Sequence, residues 1–213
     1  MSDASGMGGD VTRSVEATSS IAVREVARRR KAFPNGWWGM ALLIATEATL
    51  FGCLVATYFY LAFQTGQWPP RGVSDPKVAL PLVLTAVLVA STLPLWRAVR
   101  SARLANVARV RMWLLLALVV QAAYFGVQMH EYLSDIDRIS ASASSYGSIY
   151  LTLLGVHHAH VAVGLLLNLW LLGKLLRGLT NYRLVALRVI AIYWYFVAFA
   201  GVCVVLTQIY PSL

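Results

Sequence analysis

The sequence predicts an all-α fold: one bundle of five membrane-spanning helices behind a polar N-terminal tail. Three observations carry that prediction. The 213 residues are 59% hydrophobic and only 13% charged, with a mean hydropathy of +0.66, which is too apolar for a soluble domain. The apolar residues gather in five runs long enough to cross a bilayer. The basic residues gather in alternate connections between those runs. The net charge of +9 therefore reads as an orientation signal and not as a nucleic-acid surface. Cys53 and Cys203 lie inside apolar runs without metal-type spacing and read as small packing residues.

Residues 1–33 are rich in Ser, Gly, Asp and Arg and contain no apolar core of signal-peptide length, so they read as a flexible tail. Arg28-Arg29-Arg30-Lys31, Pro34-Asn35-Gly36 and Trp37-Trp38 then supply a cationic flank, a helix-start turn and an interfacial aromatic anchor. The first span runs from Trp37 to Phe63. A loop containing Trp68-Pro69-Pro70-Arg71-Gly72 forbids helix continuation before the second span, Val78 to Trp96. The third span covers Met112 to Tyr132. The fourth covers Ile149 to Leu172, 24 residues without a formal charge, which as a helix reach about 36 Å. The fifth covers Leu184 to Tyr210 and ends before Pro211. Residues 34–213 thus form the transmembrane domain.

Orientation follows from the basic residues. Six lie in the tail (Arg13, Arg24, Arg28, Arg29, Arg30, Lys31), five in the second loop (Arg97, Arg100, Arg103, Arg109, Arg111) and four around the fourth (Lys174, Arg177, Arg183, Arg188), fifteen on one side. The other side has Arg71, Lys77 and Arg138. The N-terminus is expected in the cytoplasm and the C-terminus outside.

The fourth span is the unusual one, because His157, His158 and His160 fall within it. An imidazole in hydrocarbon has no water to satisfy its nitrogens, so these rings must face neighbouring helices. Counted at about 1.5 Å per residue, Glu47 of the first span, His157, His160 and Tyr195 of the last span fall at one level near mid-membrane. A buried layer of these four residues is expected, serving proton or oxygen traffic or holding the bundle together. His157 and His160 share a helix face, while His158 points elsewhere. Gln128, His130, Glu131 and Tyr132 form a second polar group at the external end of the third span. Small residues at Ala45, Ala48, Gly52 and Ala56, and at Gly155 and Ala159, are expected to let helices approach closely. Trp37, Trp38 and Trp68 read as interface anchors, and Ser140 to Ser148 as a turn with capping hydroxyls. A haem held by the histidines is the competing reading, but the only other histidine, His130, lies well above His157.

The motifs resemble one family. Thr46-Glu47 followed by Phe51, the loop Trp68-Pro69-Pro70-x-Gly72-Val73, Leu80-Pro81-Leu82 with Ala90-Ser91, and Gln128 with Glu131-Tyr132 are similar, in order, to segments of cytochrome c oxidase subunit III. Tyr146-Gly147-Ser148 and Gly155-x-His157-x-x-His160-Val161-x-x-Gly164 resemble its most recognisable run. Two positions depart from it. Trp194-Tyr195-Phe196-Val197-Ala198 stands where members carry Trp-His-Phe-x-Asp, and His158 replaces a usual glycine. The chain resembles the five-helix version, which lacks the two initial helices that form a lipid-holding cleft; some relatives obtain them from an extended subunit I.

The resemblance implies a supporting subunit of a respiratory haem-copper oxidase in the bacterial cytoplasmic membrane, without catalytic residues, cofactor or metal of its own. Haems and copper would sit in partner subunits I and II, with phospholipid bound to this chain and membership of a larger supercomplex a further expectation. Its role would be to sustain proton uptake, protect against turnover inactivation and guide oxygen. Quinol oxidases and nitric oxide reductases with a similar third subunit are the alternative settings.

Overall fold

The computed structural model describes residues 35–71, 73, 77–139, 144–177 and 180–212. The expected tail, residues 1–33, lies outside them, as do positions 140–143 of the serine-rich turn. The described residues form α1 (Asn35–Gln64), α2 (Ala79–Ala90), α3 (Thr92–Arg103), α4 (Val107–Arg138), α5 (Ser145–Leu175) and α6 (Asn181–Ile209), followed by a short 3-10 turn, Tyr210–Ser212. Five segments are long and apolar enough to cross a membrane, since α2 and α3 together form one of them, Ala79–Arg103.

The break in that segment has a simple cause. Pro94 has no N–H to offer the Ala90 carbonyl and its ring crowds that oxygen, so the helix is interrupted at Ser91. The Ser91 hydroxyl turns back and donates to Leu88 O at 2.6 Å, which keeps it satisfied in an apolar setting.

Each of the five membrane-crossing segments is longer than its expected apolar run. The second segment continues to Arg103, so Arg97, Arg100 and Arg103 stand on the last turns of α3 and not in a loop. Long side chains can carry their charge to the interface from within a helix, so a charge does not end the segment. Arg97 and Arg100 lie over the Trp113 and Trp96 rings, at 4.8 and 5.6 Å from the centroids. The helix starts are capped. Asn106 accepts from Arg109 N at 3.0 Å, Ser144 from Gly147 N at 3.1 Å and Thr180 from Arg183 N at 3.3 Å. Arg111 donates to the carbonyls of Leu175 and Leu176 and so ties the start of α4 to the end of α5.

α6 is central and packs on α1, α2, α3 and α5, whereas α4 packs on α2, α3 and α5 and does not touch α6 closely. α5 and α6 are the most buried spans and α1 the least. The small-residue stripe on α1 corrects an expectation: Ala45, Ala48, Gly52 and Ala56 are exposed, and a Cβ at Gly52 would meet nothing within 4 Å. On α5, Gly155 is the close approach, with Tyr132 Oη 2.7 Å from the position of a Cβ, while Ala159 is exposed. Trp68 also has protein partners. It is half-buried and packs edge-on against Tyr58 and Tyr146.

Two glycines that sequence inspection did not single out as contacts lock α5 to α6. A Cβ at Gly164 would lie 2.7 Å from Cζ2 of the fully buried Trp194, and a Cβ at Gly201 would lie 3.0 Å from Cε1 of His157. An indole enclosed on all sides cannot retreat. Gly164→Ala is therefore expected to destabilise the fold by about 1–3 kcal/mol through overpacking. Thermal unfolding in detergent reads this loss, and Gly164→Ala combined with Trp194→Phe should recover part of it.

Candidate functional site

α5 sends its histidines to three different surroundings. His160 faces α1, where its Nε2 lies 2.9 Å from Glu47 Oε2, and its Nδ1 lies 2.8 Å from the carbonyl of Val156 one turn earlier. A carbonyl only accepts, so Nδ1 carries a hydrogen. Nε2 is then either the acceptor of a proton from the Glu47 carboxyl or the donor of a second ring proton to the carboxylate. One proton lies between the two groups in either case. The pair is neutral overall in both arrangements, which is the condition under which an acid and a base can sit in an apolar layer without a net buried charge.

The pair lies at the wall of a groove of about 170 Å³ lined by Leu43, Glu47, Ala159, His160, Val163 and Tyr193. Phe51 covers the imidazole on one side, at 5.1 Å between ring centroids. Tyr193 of α6 donates to the His160 carbonyl at 2.9 Å. The Glu47 side chain is 26% exposed and that of His160 15%, so the shared proton is close to the bundle surface and not sealed inside it.

His157 is buried and turned the other way, with its Nε2 3.3 Å from the Tyr124 hydroxyl of α4. His158 is also buried. It donates from Nδ1 to Leu154 O at 2.6 Å and stacks on the Tyr132 ring at 5.0 Å, which gives this departure from the family pattern a place. Among the described residues no group of three or more His, Cys, Asp or Glu is arranged to hold a metal ion.

The expected four-residue layer is thus divided. Glu47 and His160 meet, and His157 faces α4 instead. Tyr195 is not part of either centre: it is 40% exposed and lines a separate groove of about 400 Å³ with Trp37, Trp96, Arg103 and Arg188. Two residues along a helix is a rotation of about 200°, so the tyrosine facing α5 is Tyr193. The expected group at the end of α4 is divided too. Glu131 pairs with Lys77 at 2.6 Å, Gln128 is buried, and His130 projects outward, 3.9 Å from Glu131.

A further set of polar contacts was not anticipated. Asn168 of α5 donates to Gln121 Oε1 at 2.7 Å, Gln121 Nε2 lies 3.4 Å from Ser91 Oγ, and Tyr150 donates to Asp135 at 3.1 Å. The signal was in the sequence, because Gln121, Tyr124, Gln128 and Asp135 recur at spacings that place them on one face of α4.

Comparison with known proteins fits this architecture. The model of the family Cytochrome c oxidase subunit III matches residues 26–210. A probable cytochrome c oxidase subunit 3 of Nocardia farcinica is 32% identical over 163 residues, 75% of this chain and 79% of the relative. The cytochrome bo(3) ubiquinol oxidase subunit 3 of Pseudomonas aeruginosa is 30% identical over 172 residues, 80% of this chain and 82% of the relative. A quinol oxidase subunit 3 of Bacillus subtilis is 29% identical over 167 residues, 76% of this chain and 78% of the relative. With its motifs in order, its five membrane-crossing segments and a match over most of its length, the chain belongs to the cytochrome c oxidase subunit III family.

Proposed function

We propose that the chain is the supporting third subunit of a respiratory haem-copper oxidase, seated against catalytic subunit I and beside subunit II, where oxygen is reduced to water. The observation that carries this reading is the family match over residues 26–210, which takes in all five spans. Haems and copper belong to the partner subunits. The distribution of fifteen basic residues against three supports a cytoplasmic N-terminus in a bacterial cytoplasmic membrane.

The exposed face of α1 supports the contact with the catalytic subunit. Ala45, Ala48, Gly52 and Ala56 present backbone without bulk, and a helix of another chain can approach such a surface closely. The groove between Trp37, Trp96, Arg103, Arg188 and Tyr195 supports phospholipid binding, since it sets two guanidinium groups at the basic end beside apolar walls. The relatives bear both cytochrome c oxidase and quinol oxidase names, so the electron donor follows from the accompanying subunits. A copper-binding subunit II selects cytochrome c.

Within the complex, Glu47 and His160 hold one proton in a net-neutral pair at the bundle surface. This supports a role in proton handling during sustained turnover, in which the pair takes up or yields that proton without altering the helix packing around it.

A tag on this chain should recover a complex with a visible haem spectrum, while the chain expressed alone should show no Soret band. A Soret band persisting in the isolated chain would overturn the assignment. Glu47→Gln keeps a donor for His160 Nε2 and should assemble normally, yet lose activity faster than the parent during prolonged turnover. Pumping and inactivation rates equal to the parent would remove the proton role. Glu47→Leu leaves the imidazole without that partner and should cost about 1–3 kcal/mol of stability, read by thermal unfolding of the complex.

A further inference from the structure

The buried face of α4 changes character half-way along its length. Val110, Leu114 and Ala117 give way on that face to Gln121, Tyr124, Gln128 and Asp135. Three of these four meet polar groups from other helices: Asn168, His157 and Tyr150, respectively. Gln128 differs. Its Oε1 is buried and accepts no hydrogen bond among the described residues.

Across a narrow cavity stands Gln208 of α6, whose Nε2 is equally buried and donates to nothing among the described residues. The two side chains are 6% and 3% exposed. An amide oxygen and an amide NH₂ are complementary, yet here they line one space without bonding to each other. The cause lies in the topology: α4 and α6 do not pack on one another, and α2 and α5 hold them apart. The cavity offers about 20 Å³, and a water molecule needs about 10–15 Å³ together with two or more polar partners. Lys77, Glu131, Asp135, Arg138 and Tyr150 complete its polar lining, with Arg138 Nη2 3.4 Å from Asp135 Oδ1. Two ion pairs therefore border it: Lys77–Glu131, 2.6 Å long with side chains 44% and 24% exposed, and Arg138–Asp135, with side chains 38% and 11% exposed.

We propose that this cavity is a water-binding site. A water donates one hydrogen to Gln128 Oε1, accepts from Gln208 Nε2–H and keeps its second hydrogen for the Asp135 carboxylate, which Arg138 and Tyr150 also hold, with the partly exposed Lys77–Glu131 pair at the cavity's rim. One water so placed joins α4 to α6, which make no direct packing contact, at the level between Gln128 and Asp135. The site is a property of this bundle alone, so its failure would leave the oxidase assignment standing.

The test is X-ray radiolytic labelling of the full chain, purified with its complex, in heavy-oxygen water. Hydroxyl radicals formed at a bound water mark the side chains beside it. Tyr150 should take up label several-fold faster than the fully buried Tyr58, and Lys77→Ala should speed its uptake further. The Gln128→Leu/Gln208→Leu double variant should bring Tyr150 down to the Tyr58 rate. Thermal unfolding supplies an independent reading. Each single Gln→Leu change strands the opposite amide, so the double variant should unfold at a higher temperature than the sum of the two single shifts implies. Equal labelling of Tyr150 and Tyr58 in the parent, unchanged labelling in the double variant, or strictly additive melting shifts would each overturn the proposal.

Discussion

The bundle is governed by the rule that a polar group carried into an apolar layer must find its partner inside the protein. α5 is where the rule bears hardest, because three imidazoles fall within four residues of it. The helix meets most of the requirement by dispersing them, although Nδ1 of His157 is buried without a hydrogen-bond partner among the described residues. Backbone carbonyls one turn earlier engage Nδ1 of both His158 and His160, and that local bond fixes which nitrogen is left to face outward. His160 is thereby aimed at a carboxyl on α1, and His157, rotated away on the same helix, at a hydroxyl on α4. One element so connects the edge of the bundle to its interior.

The two polar regions differ in what they can exchange. Glu47 and His160 are partly exposed on a groove, and a proton shared there is reachable from outside the bundle. The α4 side is enclosed, with amides, hydroxyls and carboxyls matched largely to one another in a bundle otherwise filled by aliphatic and aromatic side chains. Matched dipoles of this kind fix the relative height of helices, since sliding by one turn would separate every pair at once. The interior network therefore sets the frame against which the peripheral pair is held.

Much of this was legible in the residues. Five apolar runs give five spans because length and lack of charge leave no other state for them in a bilayer. Counting height along a helix puts Glu47 and His160 at one level, where the structure has them 2.9 Å apart, for height depends only on residue number. Azimuth was harder. Tyr195 has the right height and the wrong direction, and Tyr193 two positions earlier has both, a distinction that depends on how α6 is rotated against α5. The stripe on α1 was misjudged for a related reason: small residues announce a close contact but not which molecule supplies it. The second and third spans run past the expected Trp96 and Tyr132, to Arg103 and Arg138, because charged side chains can remain helical while their charge reaches the interface.

The glycine contacts between α5 and α6 have a mechanical meaning. Each helix contributes one notch and one ring, with His157 and Gly164 seven residues apart on the first and Trp194 and Gly201 seven apart on the second. Two antiparallel rods keyed at both places can neither screw nor shear past each other without first withdrawing an aromatic ring. Any flexing of the subunit during a working cycle is accordingly displaced to the proline-broken segment and to α1, leaving the central pair as the rigid spine.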